Sequence, residues 1–134
     1  MKDCIFCKII NKEMPSYKIY EDEFTYAFLD ISNDGNGHIL VIPKNHFENI
    51  LNCSKDALCH LMETVQKISK HLVSDCGFDG VNIINASGQA AEQSVFHFHI
   101  HILPRAKEDN LKVFPSLAQN KESLEELCNK LRMN

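Results

Sequence analysis

The sequence predicts an α+β fold in which one long helix packs on an antiparallel β-sheet. Short apolar segments with the character of strands follow one another closely along the chain. A loop rich in Asn, Asp and Gly joins two of them, and an amphipathic pattern of about 20 residues lies in the middle of the chain. Consecutive strands with short connections pair antiparallel, so these observations favour a sheet with a helical layer on it.

The N-terminal third predicts a short helix and two strands. Residues Cys4–Glu13 carry apolar side chains at helical spacing, and Pro15 marks the break after them. The strands are predicted at Tyr17–Glu21 and Phe24–Asp30. One face of the second strand would carry Phe24, Tyr26 and Phe28.

A hairpin is predicted next. The loop signal Ser32–Gly37 joins Phe24–Asp30 to the apolar strand Ile39–Ile42, which Pro43 closes. Because the connection is short, the two strands are expected to pair directly with each other.

The long helix is predicted to begin at the N-cap Ser54 and to stop at Gly77. Two strands follow, near Val81–Asn85 and at Val95–Leu103, and Pro104 would stop the second. The apolar face of the helix consists of Leu58, Leu61, Met62, Val65, Ile68 and Leu72.

A final amphipathic helix is predicted over Lys121–Arg132, with Leu124, Leu127 and Leu131 facing inward. Its acidic residues lie early and its basic residues late, which suits the helix dipole. Because the chain shows no repeat, linker or low-complexity tract, we expect residues 1–134 to form one domain.

Composition narrows the class of protein. The 134 residues suffice for a hydrophobic core, and the net charge of −4 argues against nucleic acid as a partner. No apolar run approaches the ~20 residues of a membrane helix, and the start has no signal-peptide core, so we expect a cytoplasmic protein that binds no membrane. Six cysteines without an export signal do not indicate a disulfide scaffold.

The most informative segment is Val95–Leu103, in which His97, His99 and His101 alternate with apolar residues. On a strand, the three imidazoles would lie on one face about 6.7 Å apart. The opposite face, which we expect to be part of the core, would carry Phe96, Phe98, Ile100 and Ile102. Three interpretations are open: exposed histidines without a role, a three-histidine metal site, or phosphoryl or nucleotidyl transfer. A metal would have to bridge about 13 Å of backbone, whereas a neutral imidazole can attack phosphorus without a metal.

The segment His97–Leu103 matches the His-φ-His-φ-His-φ-φ motif, where φ is apolar, and thereby resembles the histidine triad (HIT) family. The segments Phe28–Ser32 and His38–His46 resemble the family's nucleotide-binding hairpin, and Gln93–Val95 resembles its phosphate loop. The likeness covers about residues 4–105 and is greatest to the Hint branch of purine nucleoside phosphoramidases. It implies a five-stranded antiparallel sheet with the long helix and short N- and C-terminal helices.

The resemblance also implies roles in catalysis. His99 would be the nucleophile that takes the nucleoside monophosphoryl group, while His101 and His38 would flank the phosphate and the leaving group. His97 would orient the site. The implied chemistry needs no metal.

Substrate-binding residues are implied in the same way. Asp30 would accept hydrogen bonds from the ribose, Asn85 would bond near the scissile group, and Ser94 and the backbone near Gln93 would contact phosphate. Glu92 departs from the Gly that is frequent there in bacterial relatives and would add negative charge beside the phosphate. The apolar slot for the base would consist of Ile5, Phe6, Ile9, Phe28 and Ile31.

A second feature is the pair Cys4 and Cys7, whose spacing is that of a zinc knuckle or a redox pair. The two thiols could also remain unliganded. Some HIT proteins carry two N-terminal cysteines and two histidines that bind zinc. Carried over, the ligands of a structural zinc would be Cys4, Cys7, His46 and His97.

The leading hypothesis is a hydrolase that cleaves P–N bonds of purine nucleoside phosphoramidates. Two alternatives stay open: a dinucleoside polyphosphate hydrolase of the same family, and a nucleotide-binding or interaction protein with incidental catalysis. A nucleotidyltransferase is disfavoured because related transferases replace the last histidine of the motif by Gln, whereas this chain has His101. The resemblance further implies a purine nucleotide substrate and a homodimer.

Overall fold

A computed structural model of the protein describes residues 3–32 and 34–133, so Asn33 of the predicted loop lies outside the described residues. Within these ranges five strands form one antiparallel sheet in the order β1-β2-β3-β5-β4, which confirms the predicted α+β class. The strands are β1 (Lys18–Glu21), β2 (Thr25–Leu29), β3 (Ile39–Pro43), β4 (Gly80–Ile84) and β5 (Ile100–Arg105). The α-helices are α1 (Ile5–Ile10), α2 (Lys55–Ser74) and α3 (Leu124–Leu131).

The predicted hairpin is confirmed. Strands β2 and β3 pair from Thr25 opposite Pro43 to Leu29 opposite Ile39. Pro43 is the last residue of β3 rather than the residue that follows it. The loop that contains Lys44 and His46 therefore begins directly at the end of the sheet.

The histidine-rich strand is shorter at its start than the sequence predicts. It begins at Ile100, not Val95, because the Phe98 N–H donates to the Phe47 carbonyl at 2.6 Å and residues 95–97 bend. It also continues through Pro104, which pairs with Val81 of β4 beyond the last pair of β5 with β3. The prediction that Phe96 faces the core is wrong, since 42% of that residue is exposed.

Helix α2 packs on one face of the sheet. Its N-cap Ser54 accepts a hydrogen bond from the Ala57 N–H, as predicted. Met62 was predicted to lie on the buried face but is 43% exposed. The predicted core residues of α2 that are buried are Leu61, Val65, Ile68 and Leu72, which pack on a sheet face that includes Ala27, Val41, Ile100 and Ile102.

The opposite face of the sheet carries α1. This helix is shorter than predicted because Lys12 has a left-handed φ of +63° and ends the regular backbone. Phe6 and Ile9 are buried against Tyr26, Phe28, Leu40 and Ile42. The two faces of the sheet therefore have different coverings, a 20-residue helix and a 6-residue helix.

The C-terminal segment differs most from its prediction. Helix α3 spans Leu124–Leu131, with Ser123 as its N-cap, instead of Lys121–Arg132. Leu124 and Leu131 were expected to face inward but are 75% and 70% exposed. A helix of eight residues can show an amphipathic pattern without a surface of the same chain to cover it. Among the described residues no helix is both long and apolar enough to cross a membrane.

Candidate active site and metal centre

A cavity of about 400 Å³ opens on the α1 face of the sheet. Its apolar walls include all five residues of the slot expected from sequence, although Ile31 is 85% exposed at the rim. His99, His101 and Asp30 supply polar groups to the same cavity. The sequence-predicted residues that line it are Ile5, Phe6, Ile9, Phe28, Asp30, Ile31, Ser94, His99 and His101.

His99 is fixed by a hydrogen bond to the backbone. Its Nδ1 lies 2.8 Å from the His97 carbonyl oxygen, so Nδ1 carries the proton and donates it there. Nε2 is then the nitrogen with a free lone pair. The residue is 4% exposed, and burial lowers the pKa of His99, although the His97 carbonyl and the Asp30 charge act in the opposite direction. The side chain is therefore held as a neutral imidazole.

Three further side chains meet beside His99, and together the four residues Asp30, His38, His99 and His101 are called the His–Asp cluster. His38 Nε2 lies 2.8 Å from His101 Nδ1, so one proton is shared between these nitrogens. His38 Nδ1 lies 3.8 Å from the Asp30 carboxylate. The ring centroids of His99 and His101 are 4.9 Å apart.

The protonation states in the His–Asp cluster follow from burial and charge. Burial, reinforced by the neighbouring His99 and His38, lowers the pKa of His101 to about 4. For Asp30, burial acts to raise the pKa, but hydrogen bonds from Ser32 and the nearby His38 and His101 outweigh it and lower the pKa. At neutral pH the cluster thus combines a carboxylate with a neutral His101.

The loop before β5 is held by Gln93. The side-chain amide of this buried residue donates to the carbonyls of Glu48 and Val95, and its oxygen accepts from the N–H of Gly88 and the amide of Asn49. Gln93 therefore fixes the loop, and its side chain has no free amide group with which to bind phosphate. Ser94 faces the cavity from the same loop.

Asn85 and Glu92 also contribute to this region in ways that the sequence did not specify. The Asn85 amide donates to the His99 carbonyl at 2.9 Å, so Asn85 positions the backbone of His99. Glu92 has a φ of +67°, the left-handed region that suits Gly and costs a side-chain-bearing residue energy. Its backbone N–H donates to Gln89 and its side chain is exposed.

On the other side of α1, the four expected ligands come together as a second group, here called the Cys–His cluster: Cys4, Cys7, His46 and His97. Their donor atoms all lie within 4.8 Å of one another. The Nδ1 atoms of His46 and His97 are 3.1 Å apart, and three sulfur–nitrogen distances are 3.4 to 3.5 Å. Of these donors, His97 is fully buried and the others are half-buried.

The donor set fits a tetrahedral zinc ion. Bonds of about 2.0–2.1 Å to nitrogen and about 2.3 Å to sulfur separate two nitrogens by about 3.3 Å, and a nitrogen from a sulfur by about 3.6 Å. The distances in the Cys–His cluster agree with these values to within a few tenths of an ångström. Burial and the adjacent Cys4 raise the pKa of the Cys7 thiol to about 11, so metal binding would have to displace its proton.

His97 is oriented for this role by its second nitrogen. Nε2 lies 2.9 Å from the Pro43 carbonyl and donates to it, which leaves the Nδ1 lone pair facing the two cysteines. Burial lowers the pKa of His97 to about 4, so the ring is neutral, as a ligand must be. His97 thus belongs to the Cys–His cluster, and the expectation that all three motif histidines share one strand face is wrong.

Several cavity residues were missed by the sequence reasoning. Met14, Ser16, Leu40 and Val95 also line the cavity. Leu40 could have been found, because it alternates with Val41 on β3 and so faces the α1 side. Met14 and Ser16 lie in a connection without periodicity, and no pattern in the sequence indicates where such residues point.

Comparisons with known proteins agree with this geometry. A family model described as HIT domain matches residues 11–108. An uncharacterized HIT-like protein of Borreliella burgdorferi is 45% identical over 138 residues, which cover 100% of this chain and 99% of that protein. An adenosine 5'-monophosphoramidase of Candida albicans is 38% identical, with 96% of this chain and 89% of that protein covered.

Among solved structures, that of a Zn-bound histidine triad family protein from Mycobacterium smegmatis superposes with a TM-score of 0.79 at 35% identity. The match covers 84% of this chain and 81% of that chain. Family model, full-length relatives and fold thus agree, and the chain belongs to the HIT family.

Proposed function

We propose that this protein is a nucleotide-binding hydrolase that cleaves the P–N bond of purine nucleoside phosphoramidates. The observation that carries the proposal is the His99 imidazole, whose Nδ1 is committed to the His97 carbonyl while its other nitrogen stays available beside the cavity. A neutral, oriented imidazole is what nucleophilic attack on phosphorus requires. A relative that is 38% identical is named as an adenosine 5'-monophosphoramidase.

The reaction proceeds in two steps. In the first, His99 Nε2 attacks the phosphorus, a nitrogen–phosphorus bond forms to His99, and the bond to the amine breaks. In the second, water attacks the nucleotidyl-His99 intermediate, which releases the nucleoside monophosphate and restores the imidazole. The leaving amine takes up a proton as it departs.

His101 and His38 are proposed to supply that proton. They share a proton across 2.8 Å, and the carboxylate of Asp30 faces the far nitrogen of His38 at 3.8 Å. If the shared proton moves along this pair, it can reach the leaving group beside the phosphate, and no charged residue has to enter the site from solvent. Ser94 and the backbone of its loop would bind the phosphate oxygens.

The remaining assignments concern the nucleoside. The Asp30 carboxylate, at the edge of the cavity, would accept hydrogen bonds from the ribose hydroxyls. The flat apolar slot made by Phe6, Ile9 and Phe28 suits a purine ring. The homodimer implied by the family resemblance stays part of the proposal, and the molar mass in solution tests it.

The Cys–His cluster is proposed to hold a structural zinc ion. Bound there, the ion would link three segments through four bonds: α1, the segment after β3 and the segment before β5. All four ligand positions would be filled by protein, so activation of water by this site is not expected. The ion would bind through His97, whose carbonyl in turn orients His99.

The test is turnover of adenosine and guanosine 5'-phosphoramidates by the zinc-loaded protein, with diadenosine polyphosphates in parallel. Cleavage of the phosphoramidates that is lost in His99→Ala is the expected result. Preference for the polyphosphates would assign the protein to the alternative hydrolase. Tight binding of nucleotide without turnover of either substrate would contradict the proposed enzyme and support a binding protein.

A further inference from the structure

Helix α1 is shared by the two sites. Cys4 is its N-cap and Cys7 its third residue, and both sulfurs face the Cys–His cluster. Ile5, Phe6 and Ile9 of the same helix line the cavity proposed to hold the purine. A single short element is therefore at once a carrier of metal ligands and a wall of the nucleotide site.

Phe6 connects the two sites directly. Its ring meets that of His97 edge-on at 5.9 Å and that of His99 at 5.3 Å between centroids. It also packs edge-on against Phe28 at 5.4 Å and is 6% exposed. Displacement of α1 would thus change the packing of the proposed nucleophile as well as the shape of the slot.

The position of α1 depends on its anchors. A helix of six residues is not stable by itself, because too few hydrogen bonds offset the cost of nucleation. Without a metal, the thiols of Cys4 and Cys7 can offer imidazole nitrogens only weak S–H hydrogen bonds. Two thiolates and two imidazoles on one ion bind far more strongly.

We propose that purine nucleotide binding in the cavity and metal binding in the Cys–His cluster are thermodynamically coupled through α1. Metal fixes the helix, the fixed helix completes the slot, and loss of the metal weakens nucleotide binding. The inference rests on the nucleotide site and the zinc site of the proposed function. Because such coupling is reciprocal, nucleotide must raise the affinity for metal by the factor by which metal raises the affinity for nucleotide.

The probe is adenosine 5'-monophosphate, the product of the proposed reaction. Calorimetric titration into zinc-loaded and metal-free protein gives the first factor, which we expect to be about tenfold, within the usual range of coupling. Competition with a chelator, with and without saturating nucleotide, gives the second factor, and we expect it to equal the first. Cys53→Ser removes a cysteine outside the Cys–His cluster and should leave both factors at the wild-type value.

Phe6→Leu separates coupling through α1 from a general effect of metal on stability. This variant keeps all four donors but removes the ring that contacts both His97 and His99. We expect both factors to fall below about threefold, which is less than the roughly fivefold lower limit of usual coupling. A general stabilising effect would leave them unchanged, and that result would overturn the proposal. Equal nucleotide affinity with and without metal, within twofold, would overturn it too.

The outcomes also separate this proposal from the one on which it rests. Failure of the zinc-loaded protein to bind the nucleotide would overturn both. Binding without any difference in metal affinity would overturn the coupling alone. If the metal-free protein unfolds, the chelator competition on loaded wild type and loaded Phe6→Leu still decides the matter, because it measures the change that nucleotide causes in metal affinity.

Discussion

The Cys–His cluster and the His–Asp cluster both use histidines of the same short motif, yet these histidines have different chemistry. His97 uses Nε2 to bond the Pro43 carbonyl and turns Nδ1 to two cysteines. His99 uses Nδ1 to bond the His97 carbonyl and leaves Nε2 free beside the cavity. The partner of one ring nitrogen therefore decides what the other nitrogen can do.

The neighbours of the two clusters complete the difference. Sulfur atoms face His97, whereas a carboxylate and another imidazole face His99 and His101. The Cys–His cluster has four donors at distances that suit one ion, and the His–Asp cluster lies beside a cavity of about 400 Å³. Soft donors in a closed set favour zinc, and a neutral imidazole beside a cavity favours nucleophilic attack.

Removal of a ligand from the Cys–His cluster should give the largest effect on stability. We expect His97→Ala to abolish stoichiometric zinc binding and to lower the free energy of unfolding by several kcal/mol, since structural zinc sites contribute to folding directly. Metal analysis and thermal unfolding measure the two effects. His99→Ala is the matched control, and it should retain zinc and melt within a few degrees of wild type. Full zinc content in His97→Ala would contradict the assignment.

Acid should destabilise the protein through the His–Asp cluster. The pKa of His101 is about 4 in the folded state against 6.5 when unperturbed, so the unfolded chain binds more protons between these values. The stabilisation is present above pH 6.5 and is lost as the pH falls through about 4. A shift of about 2.5 pKa units corresponds to about 3.4 kcal/mol, which solvent screening of the partly exposed ring reduces to about 2–3 kcal/mol. Denaturant unfolding of wild type and His101→Asn over this range measures it. Parallel curves for the two proteins would contradict the lowered pKa.

Asp30 should affect ribose recognition to a smaller degree. A hydrogen bond to a charged acceptor contributes about 1.5–3 kcal/mol, so Asp30→Asn should raise the Kd for adenosine 5'-monophosphate roughly tenfold or more. The 2'-deoxy nucleotide provides the matched comparison, because it lacks a hydroxyl with which the carboxylate would bond. If the variant loses the same factor for both nucleotides, Asp30 does not bind that hydroxyl.

The loop that leads into both clusters should give the smallest effect. Glu92 has a left-handed backbone, which Gly adopts without a steric penalty, so Glu92→Gly should stabilise the protein by about 0.5–1 kcal/mol. Ala91 next to it lies in a short 3₁₀ turn, and Ala91→Gly should lower stability instead. Chemical denaturation measures both variants. A loss of stability in Glu92→Gly would mean that the Glu side chain stabilises the loop in another way.

Periodicity predicted the layers of the fold but not the path of the chain into the site. The face of α2 formed by Leu61, Val65, Ile68 and Leu72 was correct, because burial imposes a strong 3.6-residue period. The bend before Ile100 was not predicted, since a hydrogen bond from Phe98 to the distant Phe47 produces it. The alternation of histidine and apolar residues begins before Ile100, although the strand itself does not.

The candidate site shows the same division. Residues such as His99 and Asp30 were found because their types and spacing match a family motif. The role of Gln93 as the anchor of its loop depends on carbonyls of Glu48 and Val95, which no spacing reveals. Helix α3 lies within the predicted range but is shorter, and its amphipathic pattern did not disclose that Leu124 and Leu131 are exposed.

The most direct test of the difference between the two clusters is mass spectrometry of the protein after a rapid acid-free quench during turnover of adenosine 5'-phosphoramidate. Fragmentation of the tryptic peptide that ends at Arg105 locates the nucleotidyl group among His97, His99 and His101. We expect the group to be attached to His99, as the assignment of the two clusters requires. Attachment to His97 or His101 would contradict this assignment. The Nδ1 of His97 is assigned to the Cys–His cluster and its Nε2 to the Pro43 carbonyl, and His101 is assigned to the pair with His38.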